Sequence, residues 1–250
     1  MIRLIHAEFR KLRTTQVWFW LLVATVAVAG LLVVAQIAPS GGVRSAHDVP
    51  DMFTSSVTVD VVVFVLGVLG VTTEFRYQTI TPTLLQTPSR WAVVTAKLLT
   101  YTVVGVAYAA AAVIVQLLVA VPWLAAKNIH VDYSNGRIVH ALVGVFVVVA
   151  LFGIVGLGIG ALLKNQIVAV VVGVIFLLVL ENVIVAIPGV KHAFPYTPGG
   201  AGAAILHTTG SRLVNGVSLL PTWGGVVVLL LWAFVPALVG ASYTLNRDIT

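Results

Sequence analysis

The sequence predicts an all-α integral membrane protein, and three observations carry that prediction. Of its 250 residues, 60% are hydrophobic and only 9% are charged, with a mean hydropathy of +1.08. A soluble domain carries charge on about a quarter of its residues, so lipid must solvate part of this surface. Six apolar runs, about 17–38, 53–73, 97–122, 138–163, 166–187 and 222–245, reach the roughly 20 residues a helix needs to cross a bilayer. They are continuous rather than short and alternating, which excludes barrel strands and leaves a helical bundle.

Ahead of the first run, residues 2–15 place Ile2, Ile5, Phe9 and Leu12 at helical spacing, with Arg3, His6, Arg10, Lys11 and Arg13 elsewhere around the helix. This spacing predicts an amphipathic helix in the inner headgroup layer. A simple basic flank to the first span is a compatible reading. The run at 17–38 is too long for the apolar core of a secretory signal and shows no clear small-x-small cleavage site, so it reads as a retained span. Neither end shows a prenylation or myristoylation signal.

Six spans put both termini on one side of the membrane. That side would carry Arg3, Arg10, Lys11, Arg13, Arg76, Arg90, Lys97, Lys164 and Arg247, against Arg44, Lys127, Arg137, Lys191 and Arg212 on the other. Nine basic residues against five make the first side cytoplasmic. The formal charge of +6 is therefore read as topology and attraction to anionic lipid, with no nucleic-acid partner.

Two further segments lie outside the spans. Residues 74–90, between spans two and three, combine Glu74, Arg76 and Arg90 with Phe75, Tyr77 and Ile80. Thr81-Pro82 makes an N-cap and a first helical residue, and Thr87-Pro88 ends the turn, so a short broken helical elbow is expected. Residues 188–221 are rich in Gly and Pro yet too apolar for a wetted loop. Re-entrant half-helices would explain this composition, and a surface loop is the alternative.

Motifs for catalysis are missing. No Gly-x4-Gly-Lys-Ser/Thr, His-Glu-x-x-His or Gly-x-Ser-x-Gly pattern occurs, and the six histidines are scattered. The chain has no cysteine, which excludes disulfides and thiolate metal sites. Neither a catalytic residue nor a metal site is expected. Gly153, Gly156 and Gly160 fall on one helical face, where small residues let two helices approach closely.

Asp60 in the second span and Glu181 in the fifth, followed by Asn182, are expensive at depth and should face protein or water rather than lipid. Glu181 is open to two readings, a pathway or gate residue and a structural hydrogen bond near a helix break. Asp60 is shallower, and a place in the outer interface is favoured for it.

The stretch "GVLGVTTEFRYQTITPTLLQTPSRWAVVTAKLL", residues 67–99, resembles the signature of ABC-2 type permeases, the six-span membrane subunits of bacterial ABC exporters. The matching positions are Glu74-Phe75-Arg76, Thr79-Ile80, Leu84 to Arg90 and Ala96-Lys97-Leu98. The basic N-terminal helix, the six spans and the Gly/Pro-rich segment before the last span agree with it. The resemblance implies that the elbow is a coupling helix docked on a separate ATPase subunit through Glu74, Phe75, Arg76, Thr79, Ile80 and Arg90. For Glu74 and Arg76 the competing reading is an internal ion pair that holds the elbow against the span.

The resemblance further implies ATP and Mg on the ATPase subunit, with no cofactor in this chain, and a smaller contact at Lys164-Asn165-Gln166. It implies a second permease copy or a paralogous permease, and a bacterial inner-membrane location. In relatives spans two and five line the path, and Asp60, Glu181 and Asn182 fall on these spans here. Walls of Val, Leu and Phe suggest an amphipathic or hydrophobic cargo such as a drug, lipid or peptide. The alternatives are an ion-coupled secondary carrier and a non-transporting scaffold or immunity protein.

Overall fold

The computed structural model describes residues 2–38, 43, 45, 48–54, 57–79, 90–132, 135–206, 213–214 and 216–245. These form ten α-helices: α1 (Ile2–Thr14), α2 (Val17–Ile37), α3 (Val49–Thr54), α4 (Val57–Arg76), α5 (Arg90–Ala126), α6 (Gly136–Leu163), α7 (Gln166–Ile175), α8 (Glu181–Ala186), α9 (Pro198–Leu206) and α10 (Thr222–Leu245). A π-helical turn, Phe176–Leu180, joins α7 to α8, and a 3-10 turn, Lys191–Tyr196, precedes α9. A two-residue antiparallel ladder pairs β1 (Leu213–Val214) with β2 (Val217–Ser218).

Among the described residues, six stretches are long and apolar enough to cross a membrane: Val17–Ile37, Val49–Arg76 (α3 and α4), Trp91–Ala126, Gly136–Leu163, Gln166–Ala186 and Thr222–Gly240. The chain is a multi-pass, all-α membrane protein. Two helices run past the spans that hydropathy outlines. α4 continues through Glu74 to Arg76, and α5 begins at Arg90, so that Lys97 lies well inside it. Apolar composition alone stops at these charges; their mutual pairing, described below, lets both helices continue past them.

α6 is the central helix, packed by α4, α5 and α10, while α2 lies on the outer side of α5. Its glycines make this possible. A Cβ on Gly156 would lie 2.0 Å from the Phe64 carbonyl oxygen of α4, and one on Gly67 of α4 would lie 2.0 Å from the Gly153 carbonyl oxygen. Any side chain at either crossing would push α4 and α6 apart. Gly153, Gly156 and Gly160 all meet α4, as a single packing face requires.

The two ends of the bundle differ. At one end α1, the last turn of α4, the first turns of α5 and the α6–α7 turn come together. Gly240 near the end of α10 packs on Ala161 and Leu162, so the helical ends nearest both termini share this end. The turn is tight because Lys164 takes a left-handed conformation (φ 57°) and Asn165 caps α7, accepting from the amides of Ile167 and Val168 at 3.1 and 3.2 Å. At the opposite end Val33 and Ile37 of α2, Met52 and Phe53 of α3, Leu124 of α5 and Ile138 of α6 form a second apolar cluster.

Between Ala186 and Thr222 the chain does not stay at that opposite end. The 3-10 turn dips back until the Tyr196 carbonyl accepts from the Trp232 indole at 2.9 Å, part-way down α10. α9 then climbs between α6 and α10, with Gly202 against Val148 and Phe152, and Leu206 against Gly144. All nine of its residues are buried.

Candidate functional site

The expected coupling residues lie at the end of the bundle where α1, α4 and α5 meet. Glu74, Phe75 and Arg76 form the last turn of α4, and Thr79 follows a turn in which Gln78 adopts φ 54°. Ile80, the rest of the elbow to residue 89 and the Arg90 side chain lie outside the described residues.

Glu74 does not reach the surface. It is 5% exposed and belongs to a four-charge cluster with Glu8 of α1 (7% exposed), Lys97 of α5 (6% exposed) and the half-exposed Lys11. Lys97 Nζ donates to Glu8 Oε2 at 2.7 Å, to Glu74 Oε1 at 2.8 Å and to the Gly70 carbonyl at 3.3 Å, which uses all three of its donors. Lys11 Nζ donates to Glu8 Oε1 at 2.9 Å and to Glu74 Oε1 at 2.8 Å. Two carboxylates and two ammonium groups cancel, so the buried cluster carries no net charge. Burial of the Lys11 ammonium acts to lower its pKa, but hydrogen bonds and attraction from Glu74 and Glu8 outweigh this and hold it above the ordinary lysine value.

The internal ion pairing weighed for Glu74 and Arg76 therefore exists for Glu74, but its partners are lysines of α1 and α5. This cluster clamps the N-terminal helix and the start of the third span onto the end of the second. Glu8, Lys11 and Lys97 were not singled out as site residues by the sequence reading. The signal available for Glu8 was its place between Ile5 and Leu12 on the apolar face of α1, where a carboxylate needs a partner.

Phe75 and Arg76 face the α6–α7 turn. The Lys164 ammonium sits over the Phe75 ring, 5.7 Å from its centroid, and the Arg76 guanidinium donates to Gln166 Oε1 at 3.3 Å while lying 5.7 Å from the Tyr77 ring centroid. The elbow stub and the Lys164-Asn165-Gln166 turn are thus one contiguous patch. Arg76, Tyr77, Gln78 and Thr79 are exposed along it.

The expected pathway residues separate into two groups. Asp60, for which the outer interface was favoured, is instead buried within α4. Asn182, one residue on from Glu181, points to the exposed face and donates to the Leu178 carbonyl at 2.8 Å, because successive helical residues diverge by about 100°. Glu181 accepts from the Gly199 amide at 2.8 Å. Thr197 and Pro198 form the N-cap and first residue of α9, and Thr197 Oγ1 accepts from the Gly200 amide at 3.1 Å. With Ala201 donating to the Thr197 carbonyl at 2.8 Å, every amide of the first turn of α9 has an acceptor.

Below this junction an apolar cavity of about 170 Å³ lies among Phe64 of α4, Val172 of α7, Phe176 and Leu177 of the π turn, Pro198 of α9 and Trp232 of α10. The second and fifth spans both contribute to its wall. A comparison with curated proteins finds no match. Among known protein families, residues 4–181 match the one described as ABC-2 family transporter protein. That range takes in α1 through the π turn, including the ion cluster, the elbow and Glu181, and the chain belongs to this family of transporter membrane proteins.

Proposed function

We propose that this chain is the permease subunit of an ATP-driven exporter in the bacterial inner membrane, with both termini cytoplasmic. Its motor is a separate ABC ATPase carrying ATP and Mg, and a second copy or a paralogous permease completes the path. Family membership supports the transporter class. The observation that carries the coupling role is the joined patch of Arg76, Tyr77, Gln78 and Thr79 with the Lys164–Gln166 turn. Two short inner segments in contact with one another give a docking partner a single surface to push.

In this reading Arg76 and Thr79 touch the ATPase, with Ile80 and Arg90 on the remainder of the elbow. Glu74 acts differently from a docking residue: it transmits displacement of the elbow to α1 and α5 through the buried cluster. Phe75 holds the elbow to Lys164. ATP binding would close the ATPase pair, and the patch would carry that movement to the spans.

The apolar cavity beside Phe64 and Phe176 favours an amphipathic or hydrophobic cargo. Asp60 and Glu181 stand above it as pathway or gate residues. α9 serves as a re-entrant half-helix, tolerated at depth because its amides are all accepted by protein. The test is Arg76→Ala in the permease co-expressed with its ATPase. We expect unchanged folding with loss of most transport-coupled ATP hydrolysis and of ATPase co-purification. Retention of both would remove the docking role.

A further inference from the structure

Where α1 and the start of α2 meet α4, beside Gln166 of α7, lies a groove of about 270 Å³, and we propose that it binds the phosphodiester headgroup of an inner-leaflet glycerophospholipid. The inference rests on reading α1 as lying in the inner headgroup layer, and it uses nothing of the ATPase reading.

The groove is amphipathic. Lys11 and Arg76 lie on its wall beside Trp18, Leu66 and Leu69, so a charged head and the start of an acyl chain would each meet matching surface. Its charge is also unbalanced. Glu8 and Glu74 are cancelled by Lys11 and Lys97, whereas Arg76 makes no ion pair among the described residues. The remaining charge of one positive unit matches a phosphodiester, which carries one negative charge, better than a phosphomonoester, which carries nearly two.

Donor counts point the same way. Lys97 has no free donor, but Lys11 uses two of three, and Arg76 uses one of its five N–H groups on a bond of 3.3 Å. One further group in the groove wall is incomplete: Glu74 Oε2 is buried with no hydrogen-bond partner among the described residues. A headgroup that brings a hydroxyl or ammonium beside its phosphate suits that acceptor once the wall adjusts to admit it. Phosphatidylglycerol, whose headgroup joins one negative phosphodiester to free hydroxyls, has this chemistry.

The experiment uses the purified full-length permease without ATPase in mild detergent, titrated with dioctanoyl phosphatidylglycerol and followed by thermal protection and native mass spectrometry. We expect saturable protection and a one-to-one adduct per chain, with affinity at least about tenfold weaker in Arg76→Gln, the loss of one charge-assisted contact. The lipid-free melting temperature of Arg76→Gln should equal that of the wild type. Lys11→Gln provides a second variant, which should weaken binding as well. Dioctanoylglycerol, which lacks the phosphate, should not protect. Equal affinity in wild type and Arg76→Gln, or protection by dioctanoylglycerol, would overturn the site. Protection by inorganic phosphate at the same concentrations would make it a free-anion site and overturn the lipid assignment.

Discussion

Lys97→Met tests whether charge compensation holds α1, α4 and α5 together. In the wild type the Glu8 and Glu74 oxygens that Lys97 binds lie 2.7 and 2.8 Å from its nitrogen. Without that ammonium, two carboxylates about 5 Å apart repel by about 3 kcal/mol at an effective dielectric of about 20. Lys11 still bridges them but is half exposed, so it offsets only part of this. Removing one partner of a buried pair generally costs about 3–5 kcal/mol; with Lys11 retained, about 3 kcal/mol is expected here. At about 2–4 °C per kcal/mol for a chain of this size, the apparent melting temperature in detergent should fall by roughly 6–12 °C. The decisive arm is the double variant Lys97→Met/Glu74→Gln. It leaves the neutral Glu8–Lys11 pair, so it should be more stable than Lys97→Met alone even though it carries one more substitution. Tryptophan fluorescence during heating, with size-exclusion recovery as a second readout, measures all three proteins and Glu74→Gln. A double variant that melts at or below the Lys97→Met temperature would refute compensation as the binding force.

Gly156→Ala gains about 1 kcal/mol of helix propensity but puts a methyl group 2.0 Å from the Phe64 carbonyl, an overpacking that costs more than the gain. It should lower the melting temperature, whereas Gly136→Ala, with nothing within 4 Å, should leave it unchanged or raise it. Gly199→Ala would set a Cβ 1.8 Å from Glu181 Oε2 and is expected to cost about 1–3 kcal/mol by breaking the α8–α9 contact; Glu181→Ala, which leaves the Gly199 amide without its acceptor, should cost a similar amount, and Glu181→Gln less. If Glu181→Gln keeps its stability yet alters transport, the residue serves the path as well as the fold. The Lys11 pKa is raised above the lysine value, so its contribution is complete below about pH 10 and is lost only as pH climbs through the raised folded value. The stability difference between wild type and Lys11→Met should therefore be flat from about pH 6 to pH 9 in buffered melts.

The six spans and the glycine face of α6 were legible because both depend on local pattern alone. Hydropathy finds a span, and Gly153, Gly156 and Gly160 mark a close crossing wherever the partner helix sits. The ends of α4 and α5 were not legible in the same way. Glu74 and Lys97 look like boundary residues when each is judged by its own cost in an apolar setting. They are 23 positions apart and cancel each other only once α4 and α5 lie side by side. Glu8 gave half of the signal, a lone acid on an apolar helix face, but its partner at Lys97 is 89 positions away and no spacing rule reaches that far.

Glu181 shows why a depth-dependent residue resists a reading by class. A helix that starts inside the bundle presents amides with no intrahelical acceptor, and each needs one from elsewhere in the protein. α9 begins at Pro198, which contributes no amide at all, and Thr197 covers Gly200 and Ala201. Only Gly199 is left, and its acceptor must come from another element. The π turn at Phe176–Leu180 ends directly before Glu181, whose carboxylate points inward to that amide while Asn182 faces out. An acceptor side chain from the fifth span thus meets the demand set by where α9 starts, and Gly199 leaves room for it, since a Cβ there would lie 1.8 Å from Glu181 Oε2. The Thr197-Pro198 cap is visible in the sequence; the demand it leaves at Gly199 becomes visible only when the dip to Trp232 places α9 at the level of Glu181.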